Sequence, residues 1–217
     1  MPASNLVLPP SNMDFAVAAL AEPFSIAANM LERTGCGAWD TVLVYGAGPV
    51  GVTVLQVVKH LGARCMVADI DATRLNRAAG FGAEAVIDSS VASVPDAVKE
   101  ETSGLGPTVV IDAAGVPALL EEACRIVSPA GRIGLLGFSQ HPSALIQQEV
   151  VRKEVSIVGS RLNRRLLPEV VGWLSEGRMR PERMITQVFA AAAARSAFDL
   201  IEGEPEKTLK VQLDFAE

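Results

Sequence analysis

The sequence has 217 residues, 49% of them hydrophobic but only 5% aromatic, and a formal net charge of −6. This length holds one large domain, or one domain with an appendage, and the interspersed charges form no basic stripe of the kind nucleic-acid binders carry. Cys36, Cys65 and Cys124 are widely spaced and odd in number, which excludes a disulfide framework and a zinc-ligand pattern and leaves small apolar core thiols in a reducing cytoplasm.

The opening MPASNLVLPP has no basic region followed by an apolar core, so it does not read as a signal peptide. No uninterrupted apolar run approaches the ~18 residues of a spanning helix. Asn5–Leu8 predicts a short strand closed by Pro9-Pro10. Ser11 or Asn12 is placed to cap a helix running to about Leu20, and Pro23 suits the first turn of a second helix to about Arg33, stopped by Gly35 and Gly37.

From Asp40 the pattern alternates. Strands are predicted at 41–46, 64–69, 84–87, 108–113, 131–136 and 154–159, with helices at 49–61, 72–80, 91–102, 116–127 and 143–151. The segments TVLVY, TVVIDAA and RIGLLG are apolar throughout, as befits parallel strands covered on both faces. The class is therefore α/β: a doubly wound, six-stranded parallel Rossmann sheet with helices on both faces, in spatial order 3-2-1-4-5-6. A helix from Pro168 to about Glu176, a strand near 184–189, a helix at 192–202 and a strand at 208–214 follow. Together with the first 35 residues, that tail falls outside the alternation. The division expected is 1–35, 36–180 for the sheet unit and 181–217 for the return.

The chemistry concentrates at the first strand-to-helix turn, YGAGPVG, where Gly46, Gly48 and Gly51 have the spacing G-x-G-x-x-G. That spacing at such a turn is the dinucleotide-binding fingerprint. Gly46 permits the turn, Gly48 lets a diphosphate approach, and Gly51 lets the helix pack on the strand. Pro49 sits in the first helical turn, where no N–H has an intrahelical partner, and those N–H groups with the helix dipole favour an anion.

Asp69 ends the second strand, eighteen positions after Gly51. An acid there takes the hydroxyls of an adenine ribose and repels a 2′-phosphate, which favours NAD over NADP; a solvated acid at a strand end is the plainer alternative. Arg74, one helical turn further, is placed to cover the adenine. Methyltransferases also use a glycine-rich first turn and an acid after the second strand, but the full glycine triplet and the lack of an evident terminal hairpin argue against them. His60, at a helix end, suits dipole compensation, and His141 lies in a loop. The only tyrosine is Tyr45, so the Tyr-x-x-x-Lys pair of short-chain dehydrogenases is absent.

The segment AEPFSIAANMLERTGCGAWDTVLVYGAGPVGVTVLQVVKHLG closely resembles the zinc-type medium-chain dehydrogenases, nearest their polyol, threonine and sugar-acid branch. SPAGRIGLLGFS, IQQEVVRKEVSIVGSRLN and EVVGWLSEG extend the resemblance along the whole chain. It implies a coenzyme domain inserted in a zinc-bearing catalytic domain, and oxidation of a secondary alcohol of a polyol or sugar acid by hydride transfer to NAD. It puts Glu22 at the catalytic zinc, where the alternative is an acid stabilising its helix N-terminus. It brings Arg161 to the substrate side. Gly137, Phe138, Gly159 and Ser160 would meet the nicotinamide, and Lys210 would approach the diphosphate. Val50, Ile70, Ala113 and Ala114 flank these positions and are assigned to the coenzyme with them.

The sequence departs from that family in one respect. It has no Gly-His-Glu segment, no Cys–His pair able to hold the catalytic zinc, and no four-cysteine lobe. The resemblance therefore implies a chain shortened at its front, with zinc expected of the full-length family but not held by these residues alone. A dinucleotide-binding module without catalysis is the rival reading. The resemblance also implies a homodimer paired through Val155–Gly159 of the sixth strand, and no nucleic acid or membrane partner.

Overall fold

Six parallel strands form the centre of the computed structural model, which describes residues 5–215. They are β1 (Thr41–Tyr45), β2 (Arg64–Asp69), β3 (Ala85–Asp88), β4 (Val109–Asp112), β5 (Arg132–Leu135) and β6 (Ser156–Gly159), in the order β3-β2-β1-β4-β5-β6. The expected order is the one found. Side chains alternate across each strand, and both faces of this sheet are apolar. Val42 and Val44 of β1 enter one core, while Leu43 and Tyr45 enter the other.

The first core is covered by α2 (Ala21–Thr34), α3 (Pro49–His60), α4 (Ala72–Gly80) and α8 (Leu167–Ser175); α5 (Val94–Glu101), α6 (Pro117–Ile126) and α7 (Gln147–Lys153) cover the second. Local chemistry sets the helix ends. Asp71 caps α4 by accepting from Thr73 and Arg74, and Ser93 caps α5. Gly35, at φ 63°, closes α2 in the left-handed conformation.

The direction of α2 matters for the site. Its last residues, Thr34 and Gly35, offer carbonyls to Arg132 at the start of β5. Asn29, further back, bonds Ser160 just beyond the end of β6. The helix thus runs antiparallel to the strands, and its N-terminus projects towards their carboxyl ends. Phe24, Met30 and Leu31 of α2 are fully buried, and each contributes roughly 1.5–3 kcal/mol of burial. The stretch Phe15–Thr34 has the length and mean hydropathy, 1.2, of a membrane span, yet half of it is buried inside the fold.

Beyond α8 the chain makes a second, two-stranded parallel sheet from β7 (Ile185–Ala190) and β8 (Lys210–Asp214), with α9 (Ala194–Gly203) as the crossover. Gln212 of β8 donates to the carbonyl of Ala16 at 2.8 Å, in the single-turn helix α1 (Phe15–Ala18).

Three expectations are corrected. Asn5–Leu8 is not a strand; no strand among the described residues lies beside it to complete a ladder. The first helix is one turn, capped by Asp14 rather than Ser11 or Asn12, because Met13 closes a turn onto Pro10 instead. Helix α7 begins at Gln147, not 143: Ser143 donates to Pro117 and the Ala144 N–H to Glu121, which tie this stretch to α6 before it can wind.

Candidate functional site

The turn between β1 and α3 stands at the carboxyl edge of the sheet. Gly46 has φ 96° and donates to Ala68 at 2.8 Å, pinning the turn to the neighbouring strand. Gly51 lies against the carbonyl of Gly46 so closely that a β-carbon there would strike backbone. Gly48, the N-cap of α3, faces open space, with nothing within 4 Å of where its β-carbon would be. The first-turn N–H groups of Val50 and Gly51 have no carbonyl to meet within the helix. A bare backbone, an open approach and a helix N-terminus are a fitting cradle for a diphosphate.

Carboxylates close the neighbouring strands. Asp69, 9% exposed, accepts from the N–H of Ala47 at 2.6 Å through one oxygen and of Asp71 at 3.0 Å through the other. It therefore ties the glycine turn to the end of β2. Each carboxylate oxygen has two lone pairs, so both retain capacity for a hydroxyl. Asp112, at the end of β4, does similar work unforeseen from the sequence: one oxygen accepts from Ala114 at 2.9 Å and Gly115 at 2.8 Å. Its main-chain carbonyl accepts from Leu136 and Gly137, while Ala113 donates to Tyr45. The turns after β1, β4 and β5 are thus linked by backbone.

A cleft of about 360 Å³ opens beside the glycine turn, lined by Gly48, Pro49, Arg74, Arg77 and Lys210, with apolar walls from Ile201, Pro205, Leu209 and Val211. Four residues singled out from sequence, Gly48, Pro49, Arg74 and Lys210, meet here although 162 positions separate the first from the last. Arg74 also pairs with Asp71 at 3.8 Å. Arg77 was not foreseen. Along the same carboxyl edge, Val50, Ile70 and Phe138 are exposed, Ile70 by 74% and Phe138 by 84%. These are exposed apolar side chains that a planar ring can cover.

At the far end of that edge, Ser160 follows β6, bonded through its N–H to Leu135 and through its hydroxyl to Asn29. Asn29 also donates to the carbonyl of Leu162, and Arg33 to that of Gly159. Its buried Oδ1 has no partner among the described residues. Arg161 is exposed in the loop that follows. Glu22 is exposed in the first turn of α2, on the side of the strands' carboxyl ends.

Neither histidine lines the cleft. His60 ends α3, at the opposite end of the helix from the glycine turn, with its ring 4.5 Å from that of Trp173. Burial, with Arg178 nearby, pushes its pKa below the usual histidine value. His141 is exposed. Burial also raises all three thiols, Cys36 to about 12 with help from Asp40. Buried thiols of this kind are inert. Among the described residues no group of three or more His, Cys, Asp or Glu side chains gathers to hold a metal ion. The residues present do not fit a zinc centre.

The fold and its edge define a doubly wound domain of the nucleotide-binding type. The sequence profile of the family described as zinc-binding dehydrogenase matches residues 49–176. The chain belongs to that family. Over its whole length it is 41% identical to the starvation-sensing protein RspB of Escherichia coli K12, of which it covers 64%. Human sorbitol dehydrogenase is 29% identical over 193 residues, which are 88% of this chain and 54% of that enzyme. The crystal structure of RspB from Escherichia coli CFT073, described as a short chain alcohol dehydrogenase in complex with NADH, superposes with a TM-score of 0.92. It has 41% identity, covering 97% of this chain and 63% of that one. The chain therefore spans less than two thirds of the length of these relatives.

Proposed function

We propose that this chain is the coenzyme-holding part of an NAD-dependent zinc alcohol dehydrogenase that oxidises a secondary alcohol of a polyol or sugar acid. The observation that carries the reading is the cleft that gathers the N-terminus of α3 with Arg74 and Lys210, beside a glycine turn that Asp69 holds through the Ala47 N–H. The bare backbone at Gly48 and the two cations suit a diphosphate. Asp69 is the ribose acceptor, and its charge disfavours a 2′-phosphate, hence NAD. Val50 and Ile70 support the adenosine half. Ala113, Ala114, Gly137, Phe138, Gly159 and Ser160 line the nicotinamide half. Bound NAD supplies the hydride acceptor; this chain's residues bind and orient it. The NADH carried by the RspB structure and the polyol in the name of sorbitol dehydrogenase support coenzyme and substrate class.

Glu22 and Arg161 are assigned to the substrate side, Glu22 as a metal-facing group only when the rest of a zinc site is supplied. Residues 36–180 form the coenzyme unit in this reading, while 1–35 are a piece of the neighbouring catalytic domain with the connecting helices, of which α2 packs on the sheet, and 181–217 return to that domain; residues 1–4 and 216–217 of those segments lie outside the described residues. A cytoplasmic homodimer completes it. The edge position of β6, with Ile157 exposed, supports pairing across a two-fold axis.

A second reading, a dinucleotide-binding module without chemistry of its own, is favoured by the donor set. The sequence has two histidines, and neither lines the cleft. Purifying the chain and measuring NADH binding, zinc content and turnover of sorbitol, threonine and hexonates separates the two. NADH binding without metal or turnover supports the module. Stoichiometric zinc with turnover would overturn the statement that these residues do not hold a zinc site, and no NADH binding removes both readings.

A further inference from the structure

Arg77 lines the cleft but spends its guanidinium elsewhere. On α4 it lies three residues beyond Arg74, on the same helix face. Its Nη1 donates to the carbonyl of Thr208 at 2.9 Å and its Nη2 to that of Glu206. A planar fork is well suited to holding two acceptors at once. The segment it holds leads straight into Lys210. On the other side Thr186 of β7 accepts from the Leu209 N–H at 3.1 Å and donates to the Lys210 carbonyl at 3.1 Å. The Lys210 backbone is thus held by Thr186 and by its β7 ladder partner Ile185, and the turn leading into it by Arg77. The Lys210 ammonium has no hydrogen bond or ion pair among the described residues, and the residue lines the cleft together with Gly48 and Pro49.

Arg183 adds a second fastening between the same bodies, donating to the carbonyl of Gly80 at 3.0 Å with its guanidinium 5.0 Å from the Phe81 ring. That bond holds the start of β7 to the far end of α4. It leaves residues 206–208 to Arg77.

We propose that Arg77 is a positioning residue for diphosphate binding: by holding the carbonyls of Glu206 and Thr208 it sets Lys210 opposite the glycine turn, without itself touching the ligand. The inference rests on the dinucleotide reading above. It assigns α4 two tasks, Arg74 facing the ligand and Arg77 fastening the opposite wall.

The test is a double-mutant cycle on the full chain, with NADH and adenosine as ligands. Lys210→Met and Arg77→Met should each weaken NADH about tenfold, the loss of one charged contact. The double variant should also be about tenfold weaker, because Arg77 acts only through Lys210. Adenosine, which has no diphosphate, should bind all four proteins alike. Arg77→Met should also speed amide hydrogen exchange over residues 206–211. A hundredfold loss in the double variant would make Arg77 a direct ligand and overturn the proposal. So would an Arg77→Met protein that binds NADH normally, or one that loses adenosine equally. If the unsubstituted chain does not bind NADH, the dinucleotide reading fails and takes this inference with it.

Discussion

The carbonyl oxygen of Gly46 occupies the place where any side chain at residue 51 would begin. A β-carbon built at Gly51 meets that oxygen and its carbon well inside 3.0 Å, and both are backbone atoms that cannot swing aside. Only glycine lets α3 lie this near β1. Gly51→Ala must push the helix off the strand, at ~1–3 kcal/mol as for other overpacked sites, and its thermal midpoint should fall. Gly48→Ala faces open space, so its midpoint should hold while NADH affinity drops about tenfold, ~1.4 kcal/mol. Thermal unfolding and NADH titration of both variants check this pair. Equal melting of all three proteins would refute the steric argument.

Asp69 serves two masters. Its oxygens hold the Ala47 and Asp71 N–H groups, and in the proposed function its remaining lone pairs hold the ribose. Asp69→Asn keeps one acceptor oxygen and loses the charge. NADH should weaken roughly 10- to 150-fold, the ~1.5–3 kcal/mol range of charged hydrogen bonds, and the preference for NADH over NADPH should narrow. Titrating the variant with both coenzymes gives the ratio; an unchanged ratio counts against the charge argument.

Stability should depend on acid through Asp40. Burial pushes this carboxyl up, but the Thr108 hydroxyl, the Gly37 N–H and Arg132 outweigh it and hold it below the ordinary carboxylate value. A group depressed in the folded state stabilises it above the unfolded pKa, and that contribution is lost as pH falls through the folded pKa. The melting temperature should therefore decline below about pH 4, where free aspartate titrates. Asp40→Asn should lower it at neutral pH and flatten the decline. Melting curves from pH 2 to 7 decide, and parallel curves would rule Asp40 out.

The proposed dimer makes a separate demand. Placing a charge on an edge strand opposes pairing, so Ile157→Lys should convert a dimer to a monomer with little change in NADH affinity. Sedimentation of both proteins reads this directly. A monomeric unsubstituted chain would exclude the sixth-strand interface.

What was legible in the sequence follows from physics that acts locally. Apolar runs such as TVLVY mark strands buried on both faces, and the glycine triplet marks the turn that starts the sheet, so strand order was readable. The contacts that shape the site are of another kind. Arg77 reaches carbonyls 129 and 131 residues away, and Asn29 reaches Ser160 across 131. Periodicity shows which face of a helix is apolar; it does not say which distant loop a polar side chain on its rim will meet. Asp112 left a fainter trace, a buried acid before the small residues Ala113–Gly115, which resembles the Asp69 pattern. The helix start misplaced at 143 shows the same limit: Glu121 captures the Ala144 N–H, and no local propensity encodes that bond.

The bond from Gln212 to the carbonyl of Ala16 brings positions 196 residues apart into one seam. Everything between them, the entire six-stranded sheet and its helices, is therefore a loop closed at its base. A polypeptide laid out in this way behaves as a cassette: it can be spliced into, or lifted from, a host architecture through two neighbouring junctions without rethreading either body. Exchanging the interval between those junctions among related chains should transfer coenzyme preference while leaving the surface at the seam unaltered.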